Sequence, residues 1–240
     1  RAKDEFLTVL SHELLTPLTS ILGWLQFYRQ HGKPELLEQT LEVIERNARR
    51  QRRLVDDLLD VSRLVNTRLA VHCTPADLWD LATSAEKSVA ETARERNITV
   101  ILEPPTERLP VCVEPFRIQQ TVGILLSNAC KFSKRGGTVT LSGWREGEKA
   151  MLAVHDTGRG IPPEMLARIF NPFTQIARDE ATGGMGLGLA LAKGLIELHG
   201  GHISVACPAN GQGTVFTISL PLAATPKAEY PPEKILALAG

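Results

Sequence analysis

The first 66 residues carry two long helical stripes of apolar side chains with nothing local to cover them, and this limits what the chain can fold into. Apolar residues recur at three- and four-residue spacing from Leu7 through Leu10, Leu14, Pro17, Ile21, Leu25 and Tyr28. That rhythm is the mark of an amphipathic, coiled-coil-like helix. His31-Gly32-Lys33-Pro34 interrupts it, and Leu37, Leu41, Ile44, Ala48, Gln51, Val55, Leu58, Ser62 and Val65 resume it. The spacing predicts a helical hairpin to about Asn66 with a polar opposite face. Two helices with one stripe each enclose no core, whereas about four around a seam do. Two-fold dimerisation is the expected solution, and packing on the rest of the same chain is the alternative.

Beyond Thr67–Pro75 the long rhythm stops, which predicts a hinge. Helix is expected over Asp77–Arg96, Pro115–Phe132, Pro163–Ile169 and Gly186–His199, and strand over Ile98–Leu102, Leu109–Val113, Thr138–Trp144, Ala150–His155, His202–Ala206 and Thr214–Leu220. Pro115 suits the first turn of its helix, and Gly136-Gly137 introduces two β runs joined by the polar turn Arg145–Lys149. The expected class is therefore α+β: an N-terminal helical hairpin over 1–68, a mixed sheet covered by helices over 75–222, and a proline-containing linker or tail over 223–240.

Balanced charge removes one class of partner. Lys+Arg and Asp+Glu each number 27 in 240 residues, so no global field favours nucleic acid or an anionic membrane. No apolar run reaches the ~18 residues of a membrane span. Cys73, Cys112, Cys130 and Cys207 are far apart and form no CxxC pair, which argues against both a zinc site and a disulfide framework and fits a reducing, cytoplasmic setting. Arg1-Ala2-Lys3-Asp4 reads as helix with no cap ahead of it. A piece of a longer polypeptide, with a sensory or membrane-anchored segment upstream, would look like this.

Four constellations carry chemistry. His12 lies between the stripe positions Leu10 and Leu14 but off the stripe, so its imidazole should face outward. Glu13 places a carboxylate beside it, Thr16 follows one turn later, and Pro17 removes a backbone hydrogen bond to the Glu13 carbonyl. Imidazole offers a lone pair to phosphorus near neutral pH, and an adjacent carboxylate can orient the ring. Asp156-Thr157-Gly158-Arg159-Gly160 ends a β run, where a carboxylate can accept from an exocyclic amine; an ordinary turn has the same composition. Gly183-Gly184-Met185-Gly186-Leu187-Gly188-Leu189 runs into a helix and could cradle phosphate or be a loop without a ligand. Asn128 and Lys131 share a helix face, as a Mg²⁺ ligand beside a phosphate partner or as a surface patch.

Together and in this order, these residues resemble the sensor histidine kinases of two-component signalling. Phe6-Leu7-Thr8-Val9-Leu10-Ser11-His12-Glu13-Leu14-Leu15-Thr16-Pro17-Leu18 resembles that family's H-box. Leu125-Leu126-Ser127-Asn128-Ala129-Cys130-Lys131-Phe132-Ser133 resembles the N-box, Asp156 to Gly160 the first glycine box, Ile169-Phe170-Asn171-Pro172-Phe173 the F-box, and Gly184 to Leu189 the second glycine box. The resemblance implies a dimeric four-helix bundle followed by a Bergerat-type ATP-binding α/β sandwich, of the kind shared with topoisomerase and chaperone ATPases. It implies that His12 is the phosphoacceptor, Glu13 the base and Thr16 a helper in the reverse, phosphatase direction. Asn128 would hold Mg²⁺, Lys131 would lie near the phosphates, and Asp156 would bind adenine with support from Thr214. Gly158, Gly160, Phe173, Gly184, Gly186 and Gly188 would complete the ATP site, with 174–183 as the segment covering it. The phosphoryl group would pass to an Asp of a response-regulator receiver domain, with no nucleic acid partner and no membrane contact by this stretch.

Three residues depart from the family pattern. Leu15 stands where the H-box commonly has Arg, Ile124 where the N-box often has an earlier Asn, and Met185 where the second glycine box often has a small hydroxyl residue. The rival readings are a nucleotide-binding relay without transfer, and a core acting mainly as a phosphatase on its regulator.

Overall fold

Helix α1 runs over Ala2–His31 and α2 over Glu35–Val65. The computed structural model describes residues 2–65, 69–175, 185–208 and 212–223. Glycine ends α1: Gly32 has φ 59°, and its N–H donates to the Tyr28 carbonyl at 2.8 Å, a left-handed stop that leaves Pro34 to begin the return. Glu35 and Glu38 in the first turn of α2 favour its N-terminal dipole. Pro17 does not break α1, which is continuous across it. The missing hydrogen bond is tolerated at Pro17, which is buried.

The remaining elements are β1 (Thr74–Asp77), α3 (Leu78–Glu86), a 3₁₀ turn over Lys87–Val89, α4 (Ala90–Glu95), β2 (Thr99–Glu103), β3 (Pro110–Val113) and α5 (Pro115–Phe132). They continue with β4 (Thr138–Glu146), β5 (Lys149–Asp156), α6 (Pro163–Leu166), α7 (Gly188–Leu198), β6 (His202–Ala206) and β7 (Thr214–Pro221). Five strands form a sheet of order β2-β4-β5-β7-β6, in which only β2 and β4 are parallel. A separate antiparallel ribbon joins β1 to β3.

Two expectations need correction in detail. The helix read over Asp77–Arg96 is interrupted by the 3₁₀ turn, and Asp77 caps α3 by accepting the Trp79 N–H at 2.9 Å. The strand β1 was not expected, because Thr74-Pro75-Ala76-Asp77 shows no alternation; its proline sits in a two-stranded ribbon where a missing donor costs little.

One core fills the space between the sheet and helices α3 and α5, where Leu78, Ile118, Leu125, Leu126 and Ile218 are fully buried. A second apolar cluster joins the two halves of the molecule. Met185, Leu187, Leu191 and Leu195 from the α7 region pack with Val61, and Leu10, Leu54, Leu58 and Ile124 close around them. The hairpin thus lies directly against the sheet domain. Among the described residues no helix is long and apolar enough to cross a membrane.

Candidate functional site

Asp156 is the last residue of β5 and stands opposite Thr214, the first residue of β7. Its side chain is buried, and Oδ1 accepts the Gly158 N–H at 2.8 Å. Burial pushes the carboxyl above the usual carboxylate range, while donors from Gly158 and Thr214 and the charge of His155 pull the other way. The carboxylate is therefore fixed in direction before any ligand arrives. Thr157 braces the same turn: its hydroxyl donates to the Thr138 carbonyl at 3.2 Å and accepts the Thr138 N–H at 3.0 Å.

Two glycines are required by space. Gly213 has φ 87°, its N–H donates to the Gly158 carbonyl at 2.9 Å, and a Cβ there would lie 2.1 Å from the Asp156 carbonyl oxygen. Gly186 has φ 67°, and its Cβ would lie 2.6 Å from the Thr174 carbonyl oxygen. Its own carbonyl accepts the Phe173 N–H at 2.9 Å, and Phe173 itself adopts φ 66°. Backbone approaches this close leave no room for any other residue. Gly160, also at positive φ, continues the Asp156 turn, and Gly188 opens α7. Gly184 lies outside the described residues.

Asn128 and Lys131 project half-buried from the C-terminal half of α5. Burial pushes the Lys131 ammonium below its usual range; the Glu13 carboxylate pulls it back up, and Arg50 and Arg96 push it down. Lys131 and Arg159 both lie over the Phe132 ring, at 5.2 and 5.5 Å from its centroid. The pull of Glu13 reaches Lys131 from the other half of the molecule, because Glu13 belongs to α1.

On α1 the His12 side chain is exposed, as its position off the stripe requires. Thr16 donates its hydroxyl to the His12 carbonyl at 2.8 Å. Glu13 turns across the hairpin to Arg50, whose Nη2 lies 3.4 Å from the carboxylate. That partner is not legible in the residue pattern, since Arg50 sits among Arg49, Arg52 and Arg53.

Residues 2–67 match the family described as "His Kinase A (phospho-acceptor) domain", and residues 113–224 match "Histidine kinase-, DNA gyrase B-, and HSP90-like ATPase". The chain belongs to the histidine kinases. The circadian input-output histidine kinase CikA of Synechococcus elongatus is 39% identical over 227 residues, covering 92% of this chain and 30% of that protein. Full-length ShkA in complex with AMPPNP superposes with a TM-score of 0.69 at 28% identity, covering 92% of this chain and 46% of that one. Histidine kinase ThkA in complex with the response regulator TrrA gives 0.67 at 25% identity, covering 91% and 61%. The chain spans 30–44% of the length of the first curated relatives it matches.

For a histidine kinase, two of the departures now have one structural address. Ile124 and Met185 both sit in the apolar cluster that seats α7 and the Met185 segment on α2. Leu15, by contrast, is exposed at 57%.

A polar contact across the same interface escaped the sequence entirely. Asp60 of α2 is paired with Arg117 of α5 through two hydrogen bonds, at 2.5 and 3.2 Å, and the carboxylate also accepts from Gln120 at 3.4 Å. As single charges on amphipathic helices, these residues gave no signal of facing one another. Asp57 lies beside them: burial, Asp60 and Asp56 raise its carboxyl to about 6, against the opposing pull of Gln120 and Arg53.

Proposed function

We propose that this chain is the catalytic core of a sensor histidine kinase, in which His12 takes the γ-phosphoryl group of ATP and passes it to an Asp of a response-regulator receiver domain in the cytoplasm. Residues 1–68 form the dimerisation and phosphotransfer hairpin, 75–222 the nucleotide-binding domain and 223–240 a linker. The observation that carries the reading is the buried Asp156 carboxylate, held at the end of β5 by the Gly158 N–H at 2.8 Å, on the same chain as an exposed His12 with Glu13 beside it.

Asp156, held by Gly158 and Thr214, accepts from the adenine amine, while the backbone around Gly158, Gly160, Phe173, Gly186, Gly188 and, by position, Gly184 borders the nucleotide. Lys131 neutralises phosphate charge. Asn128 fits Mg²⁺ as a single hard oxygen donor, a small protein share suited to an ion that keeps phosphates and waters as its other ligands. When bound, Mg²⁺ would neutralise charge on the phosphates. The imidazole lone pair attacks γ-phosphorus, the bond to the bridging oxygen breaks and ADP leaves. Glu13 serves the imidazole after releasing Arg50. Positioning supplies most of the acceleration, as phosphoryl transfer requires.

Leu15, Leu22, Leu41 and Leu59 are 48–57% exposed along the hairpin, an apolar surface that a second copy would cover in a four-helix bundle. The ATP reading draws support from the AMPPNP-bound ShkA neighbour and the receiver partner from the ThkA–TrrA complex.

Incubation with γ-labelled ATP and Mg²⁺ tests the assignment. The wild-type chain should gain an acid-labile, base-stable phosphoryl group and His12→Gln should gain none. Label that persists in His12→Gln, or ATP binding with no label in the wild type, sinks the kinase reading.

A further inference from the structure

Cys73 lies one residue ahead of β1, and Cys112 lies within β3. The ribbon register sets Thr74 opposite Val113 and Pro75 opposite Cys112. Side chains alternate between faces along a strand, so Cys73 shares the face of Pro75 and is the diagonal neighbour of Cys112. Both residues are exposed. The other two cysteines are engaged elsewhere. Cys130 is buried, and the Cys207 sulfur accepts the Ile161 N–H at 3.4 Å.

The place of the pair gives it a consequence. The ribbon strand β1 is the first element after α2, and β3 leads directly into α5, which carries Asn128 and Lys131. Near the pair, this joint is held by exposed or half-exposed contacts: the His72 N–H donates to the Glu114 carboxylate at 3.1 Å and the Thr74 hydroxyl to the Val113 carbonyl at 3.3 Å. Diagonal neighbours in an antiparallel pair stand about 7–8 Å apart at Cα, slightly beyond the usual disulfide span. Cys73 precedes the first paired residue of its strand, so its backbone can close that gap without disrupting a registered pair.

We propose that Cys73 and Cys112 form a reversible disulfide across the β1–β3 ribbon, so that the joint between the helical hairpin and the sheet domain responds to thiol–disulfide exchange. The oxidant class is a small-molecule disulfide. One cysteine thiolate attacks it, releasing one small thiol and leaving a mixed disulfide; the second thiolate displaces the other small thiol. Two cysteine S–H groups thereby become one S–S bond, and their protons leave with the two departing thiols. Desolvation, Cys112 and Glu114 push the Cys73 thiol up, which slows the exchange because the thiolate is the attacking species.

The test needs no ATP and stands apart from the kinase assignment. The chain is equilibrated with oxidised glutathione, denatured, alkylated and mapped by peptide mass. Reactive thiols should fall from four to two, with the Cys73 and Cys112 peptides linked, and reductant should restore all four. Cys73→Ser and Cys112→Ser should each abolish the link, while Cys207→Ser should retain it. Amide exchange over residues 72–77 should slow on oxidation. Four persistent thiols, glutathione adducts without a linked peptide, or a link that leaves that exchange unchanged would each overturn the proposal.

Discussion

Replacing Asp60 with Ala leaves the Arg117 guanidinium without its main partner. The two side chains are only 9% and 14% exposed, and breaking a buried pair from one side costs about 3–5 kcal/mol when the orphaned charge stays buried. Two features of this site reduce the cost. Arg117 keeps the Gln120 amide oxygen at 2.9 Å and the Glu114 carboxylate at 3.9 Å. The contact also crosses from α2 to α5, so Arg117 can regain water if α2 lifts away, which caps the cost at the energy of seating the hairpin. We expect a loss of about 2 kcal/mol, appearing as a roughly thirtyfold faster amide exchange in the C-terminal turns of α2. Arg117→Met and the double variant complete the cycle, and the coupling should be about 1.5–3 kcal/mol at pH 7. If the single effects add within about 0.5 kcal/mol, the pair does not hold the two halves together.

Asp57 makes the same seam pH-dependent. Its folded carboxyl is raised to about 6 from an ordinary 3.8, so the folded form holds its proton more tightly; the resulting stabilisation is complete below about pH 4 and lost as pH rises through 6. Asp57→Asn should flatten that limb of the stability profile and gain about 1–2 kcal/mol at pH 7, after allowance for partial exposure; an unchanged profile in denaturant titrations from pH 5 to 7 refutes the assignment. Gly213→Ala places a Cβ 2.1 Å from the Asp156 carbonyl. It should cost at least about 2 kcal/mol in thermal unfolding, from left-handed strain and forced backbone movement together, and lower nucleotide affinity. A native melting curve with unchanged binding would show that the turn has room to spare.

Most of the architecture was legible because it rests on local signals. Stripes at helical spacing gave α1 and α2, Pro115 marked the start of α5, and the glycine runs bracketed the sheet. The strand β1 and the break between α3 and α4 were not legible, because tertiary pairing with β3 and local capping by Asp77 override weak propensities there. At the site, His12 could be placed outward from its stripe position alone. The reach of Glu13 toward Arg50, and the pairing of Asp60 with Arg117 across 57 residues, depend on how two separately built halves dock. A surface charge carries no mark of its distant partner.

Ile124 and Met185 sit in one apolar cluster with Leu54 and Leu58 of the hairpin, which ties the two departures from the family pattern to a single surface. A chimera joining this hairpin to the ATPase half of a relative bearing polar residues at both positions would bring hydrophilic groups against leucines, and would tend to come apart at the seam. Grafting the two side chains along with the hairpin should restore the fit, so recombination between such kinases is best planned by matching this patch rather than by cutting at the linker alone.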